Sequence, residues 1–120
     1  IKIIGAQPAV QSRKNVNHPE ANTIDGVLAF KDVPAQSVPV FFDPEQAPYD
    51  ECLDIVAEDA YETGRRLVKN DGVFLGQSAA AALKAATIIA ERPEAAGKNI
   101  AIIMADNAFK YLSTKMYAEE

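Results

Sequence analysis

Tryptophan is absent, histidine and cysteine occur once each, and 12 Lys and Arg residues are outnumbered by 17 Asp and Glu. Each shortage excludes something. A single cysteine, Cys52, allows no internal disulfide and suits a reducing cytosol. His18 stands alone in a polar stretch and the carboxylates are scattered, so no metal-ligand spacing appears. The net charge of −5 argues against nucleic acid or an anionic membrane as the main partner. No apolar run reaches the length that a membrane-spanning helix needs, and the N-terminus does not read as a signal peptide.

What remains is the composition of an ordinary globular domain, 120 residues with 48% hydrophobic and 24% charged. The chain opens on Ile1-Lys2-Ile3-Ile4-Gly5, a strand already under way, which leads us to expect a fragment of a longer protein. Residues 2–7 form a strand candidate, β-branched and bounded by Gly5 and Pro8. Residues 9–50 show little periodicity and hold five of the seven prolines. So long an irregular span inside a domain is expected to be a functional flap, a partner-contacting loop or disorder. Its apolar knot, Val38, Val40, Phe41 and Phe42, predicts that it lies against something.

From residue 51 the pattern becomes regular. Residues 52–56 read as a short strand. In 57–71 the acidic residues Glu58 and Asp59 come first and Arg65, Arg66 and Lys69 last, as the helix dipole favours. Ala60, Gly64, Leu67 and Val68 give its apolar stripe, Gly72 closes it, and Arg65 and Arg66 read as solvated surface. Val73-Phe74-Leu75 follows as a short buried strand. After Ser78 an alanine-rich helix runs on to Ala90, with Ser78 in the N-cap position, its hydroxyl accepting a first-turn backbone N–H. Glu91-Arg92-Pro93 stops it, and 99–104 is a continuous apolar run of the kind that parallel strands show when covered on both faces. The expected fold is an α/β, three-layer αβα sandwich with a mostly parallel sheet, with a βαβαβ core over 51–114.

The candidate chemistry is sparse. Gly76-Gln77-Ser78-Ala79-Ala80 lacks the second glycine of a nucleophile elbow, and no histidine follows Ser78. Neither a Walker loop nor a Gly-x-Gly-x-x-Gly appears. Taken alone, Ser78 reads as a helix cap and Asp106-Asn107 as a turn. They gain interest together, because both fall at the C-terminal edge of the predicted sheet, where open α/β folds hold ligands.

Three stretches carry a resemblance. Residues 58–86, with their Gly-x-Ser turn and alanine-rich helix, are similar to a segment of the cysteine synthases (O-acetylserine sulfhydrylases). Residues 97–114 resemble that family's last strand and its Tyr-Leu-Ser-Thr signature, here Tyr111 to Thr114. Residues 1–8 resemble its strand ending in Gln/Glu-Pro. Within the family the B-type isozyme is most similar, on the segment from Ile24 to Pro34 and on the short terminus.

The resemblance implies the C-terminal third of a fold-type II enzyme using pyridoxal 5'-phosphate (PLP). It implies β-replacement of O-acetylserine with sulfide or another sulfur donor. The family's pyridine-nitrogen serine carries over onto Ser78, and a nearby polar position onto Asp106. Ala79, Ala80, Ala108 and Phe109 depart from the family's usual residues, as does the Leu28-Ala29-Phe30 segment near the substrate entrance. No lysine here matches the one that holds the cofactor, so the catalytic residues and phosphate cradle are expected in the remaining N-terminal part of the enzyme. The fragment alone is expected to be inactive and to bind no PLP. The other implied partners are a second subunit of a homodimer and a small amino-acid substrate. Alternatives are another fold-type II activity, such as cystathionine β-synthase or a serine/threonine dehydratase, and a non-catalytic α/β fragment serving folding and partner contact.

Overall fold

The computed structural model describes residues 1–118. Two strands, β1 (Ile4–Pro8) and β2 (Glu51–Ile55), pair in parallel, with Ile4 opposite Glu51 and Pro8 opposite Ile55. Two helices follow, α1 (Ala57–Asp71) and α2 (Gln77–Ala90). They pack on each other, and α2 also touches both strands. The fold is thus mixed α/β with a parallel sheet, as the sequence pattern led us to expect.

Small residues let the helices approach. Ala57, Ala60, Ala79 and Ala80 have no exposed surface, and Ile55, Ile24, Tyr61 and Met116 complete the core with them. α1 begins with Glu58 and Asp59 and ends with Lys69, matching the helix dipole, and Gly72 closes it in the left-handed conformation (φ 68°). At the far end of α2, Arg92 grips Glu51 of β2 with two hydrogen bonds of 2.7 and 2.6 Å, which fixes the helix against the sheet.

The structure corrects several expectations. Residues 99–104 form no strand, and Ile103 is 81% exposed. A strand exists only through a neighbour that accepts its backbone bonds, and no backbone group of 99–104 pairs with another among the described residues. Val73 and Phe74 are likewise exposed rather than buried. Only Leu75 is covered, joined to Asn107 by one antiparallel bridge. The helices therefore follow β2 in succession, and the link between the two parallel strands is the irregular span 9–50. Arg65 is not free surface: its guanidinium donates to the backbone oxygen of Met116 at 3.0 Å and so anchors the C-terminal segment to α1.

The irregular span is tethered at many points. Ser12, fully buried, accepts the Ala57 amide N–H at 2.8 Å, capping the entry to α1 from a distance in sequence. Tyr61 donates its hydroxyl proton to the Thr23 carbonyl. Phe30, Phe42 and Tyr49 cluster with ring centroids 4.7 to 6.1 Å apart. Part of the apolar knot thus finds its cover inside the chain, while Val40 and Phe41 stand fully in solvent.

Candidate functional site

The turn from Leu75 into α2 meets the segment around Asp106. The Leu75–Asn107 bridge draws the two together, and the Gly76 amide donates to the Asp106 carbonyl at 3.4 Å. The Asp106 carboxylate lies directly over the Gly76 Cα, so that a Cβ there would sit 1.8 Å from Oδ1. Only glycine allows this approach. Tyr111 donates to Asp106 Oδ2 at 2.9 Å, which holds the carboxylate in place. Burial, reinforced by the hydrogen bond from its hydroxyl to this carboxylate, pushes the Tyr111 pKa up to about 12.

Ser78 is not the helix cap. Gly76 occupies that position, α2 begins at Gln77, and no side chain caps the helix. Ser78 is the second helical residue, and its hydroxyl makes no hydrogen bond to any described residue. The cause lies one residue earlier. Gln77 enters the helix buried, with its amide oxygen accepting the Asp25 N–H at 2.7 Å, so the chain is anchored there without the serine. The next residue of the Asp25 turn, Gly26, has φ 84° and stands over Ser78, where an added Cβ would lie 3.8 Å from the serine Cβ and 3.9 Å from its Oγ. An uncommitted hydroxyl is thus framed by glycine on one side and by alanine in its own helix.

Both residues singled out from sequence therefore belong to one turn region, with different engagements. Ser78 keeps a free donor, whereas Asp106 is taken up by Gly76 and Tyr111. Sequence reasoning missed Gly26, Gln77 and Tyr111 as parts of this arrangement. A polar residue wedged between Gly76 and Ser78 at the start of an otherwise alanine-rich helix was the one available signal for Gln77. Beside the turn lies a cleft of about 400 Å³ lined by Gln77, Tyr61, Tyr111 and Thr114, with Lys14, Lys110 and Lys115 among the rest of its wall. Neither Ser78 nor Asp106 lines it. Lys110 reaches Asp25, also of its wall, at 3.3 Å. Cys52 sits apart on β2, its thiol pKa pushed up mainly by burial, and takes no part.

No protein-family model matches the chain. The cysteine synthase of Aquifex aeolicus is 30% identical over 122 aligned positions that take in all of this chain and 33% of the relative. Cysteine synthase A of Escherichia coli is 36% identical over 70 residues, 58% of this chain and 22% of the relative. In three dimensions the chain is similar to the cysteine synthase of Entamoeba histolytica, with TM-score 0.73 and 33% identity, over all of this chain and 33% of that one. The chain spans about a third of the length of the full-length relative it matches end to end. Agreement of sequence and fold over the whole chain establishes that it belongs to the cysteine synthase (O-acetylserine sulfhydrylase) family.

Proposed function

We propose that the intact protein is a PLP-dependent cysteine synthase, converting O-acetylserine and sulfide, or another sulfur donor, to cysteine. The observation that carries this reading is the uncommitted Ser78 hydroxyl in a small-residue frame, in a chain related throughout to cysteine synthases. The residues present fit the cofactor. Gly26 sets no side chain over Ser78, whose hydroxyl is engaged by no described residue and offers a donor to a ring nitrogen. PLP, when bound, supplies the electron-withdrawing ring that lets an amino-acid substrate lose its β-substituent.

This chain's own contribution is to set the ring's electronic state. A serine hydroxyl keeps its proton and donates a hydrogen bond, leaving a pyridine nitrogen uncharged. A carboxylate in that position would hold the nitrogen protonated and strengthen the electron sink. The weaker sink suits elimination and replacement, where the leaving group takes the electrons. Asp106 acts beside Ser78 by seating the Gly76 turn, its negative charge directed to Tyr111 rather than to the ring. The covalent anchor and phosphate contacts belong to residues outside this chain, in the N-terminal part, and the working form is a homodimer. Within the family we assign the B type, on the 24–34 segment.

Cysteine formation by the purified intact protein, loaded with PLP and given O-acetylserine and sulfide, tests the reading. We expect turnover with O-acetylserine. PLP binding with turnover of serine and homocysteine instead would favour a cystathionine β-synthase, and no PLP binding at all would favour the non-catalytic alternative.

A further inference from the structure

The segment that faces Ser78, residues 24–31, has no regular secondary structure of its own. Two glutamines hold its ends. Gln77 is 4% exposed and accepts the Asp25 N–H at 2.7 Å. Its own amide nitrogen reaches the Thr114 hydroxyl at a long 3.5 Å. Gln7, on β1, is 3% exposed. Its oxygen accepts the N–H groups of both Phe30 and Lys31 at 3.0 Å, while its nitrogen donates to Asp54 at 2.8 Å. Outside these bonds, the segment's backbone makes one further hydrogen bond to backbone among the described residues, Val27 to Ile24 within the segment itself. The Lys110–Asp25 contact joins two well-exposed side chains and is screened by solvent.

We propose that Gln77 is a positioning residue, which with Gln7 fixes the 24–31 segment as a rigid strap and sets the distance of Gly26 from Ser78. A buried amide oxygen is suited to this. It satisfies an otherwise orphaned backbone donor, which would be costly to leave unpaired. The two glutamines act at opposite ends, so the strap cannot tilt about either. The proposal rests on the cysteine synthase reading for its catalytic consequence, while its structural part stands independently.

Hydrogen–deuterium exchange of the 24–31 peptide in the intact protein, with and without PLP, reads the structural part directly. Gln77→Leu keeps the bulk and removes the acceptor. We expect exchange in this peptide to rise by about tenfold, the scale of one lost hydrogen bond, with kcat for cysteine formation falling by a similar factor. Gln77→Glu retains an acceptor at a helix N-terminus, where a carboxylate is tolerated, and should restore both protection and kcat. Unchanged exchange in Gln77→Leu would overturn the proposal, as would a Gln77→Glu protein that behaves like Gln77→Leu. Where the intact protein takes up no PLP, the functional reading fails, while the exchange result still decides the role of the glutamine.

Discussion

In the helical pair Ala57, Ala60, Ala79 and Ala80 are completely covered, whereas in the apolar run 99–104 Ile103 is 81% exposed and Met104 48%. The second segment is the more hydrophobic of the two. The difference is the presence of a partner: α1 and α2 cover each other and β2 within the described residues, while 99–104 has no neighbouring strand among them. Hydrophobicity says that a segment is to be covered, and only the rest of the structure says by what. The chain spans about a third of the length of the relative it matches end to end, and we propose that residues outside it cover 99–104, Val73 and Phe74.

The largest effect that sharpens this contrast is expected in the shared core. Ile55→Ala should cost the intact protein about 2–5 kcal/mol by urea denaturation, since Ile55 is fully buried within this chain. Ile103→Ala, at a position exposed here, should also destabilise the intact protein, by about 1.5–3 kcal/mol if the enzyme's remaining chain covers it. A change below about 0.5 kcal/mol at Ile103 would show a true surface position and break the comparison.

Phe41 provides an intermediate case. It stands fully exposed beside an aromatic cluster that already uses Phe30, Phe42 and Tyr49, and we propose a second subunit of a homodimer as its cover. Phe41→Ser should weaken dimerisation of the intact protein by about tenfold, or about 1.4 kcal/mol, in sedimentation experiments, with little change in monomer fold. An unchanged dimer would show that this ring faces solvent.

The smallest effect is electrostatic. Tyr111→Phe removes the bond to Asp106 and should cost about 1 kcal/mol near neutral pH. The folded-state pKa of Tyr111 is raised above the ordinary tyrosine value, so its neutral form is favoured by folding. That contribution is complete below pH about 10 and is lost as pH rises to about 12. The stability difference between wild type and Tyr111→Phe should therefore hold constant to pH about 10 and shrink above it. A difference that grew with pH would contradict the buried neutral phenol.

The regular part of the fold was legible because local signals agreed. Glu58, Asp59, Lys69 and Gly72 marked the ends of α1, and the boundaries of β1 and β2 fell within two residues of expectation. The strands at 73–75 and 99–104 were read from apolarity, a property of burial rather than of pairing, and among the described residues 99–104 stays unpaired while 73–75 has only the single bridge from Leu75 to Asn107. The site was legible only in outline. Ser78 and Asp106 were found through their place at a turn and a resemblance, whereas the strap and its glutamines were not. Gln7 and Gln77 lie 70 positions apart, and their partners Asp25, Phe30 and Lys31 fall in a span with no periodicity, so only the folded chain brings them together. Ser78 was misread as a cap for the same reason, because the anchoring of α2 by Gln77 depends on a distant backbone N–H.

The most direct test of the account is the substitution series at Ser78 in the intact, PLP-loaded protein, followed by kcat/KM for O-acetylserine. Ser78→Ala should lower it by about tenfold, one hydrogen bond of about 0.5–1.5 kcal/mol. Ser78→Asp should lower it further, since a carboxylate in this frame is either uncompensated or protonates the ring nitrogen. Both variants should retain bound cofactor. A Ser78→Asp protein as active as wild type would show that this hydroxyl does not face the ring nitrogen.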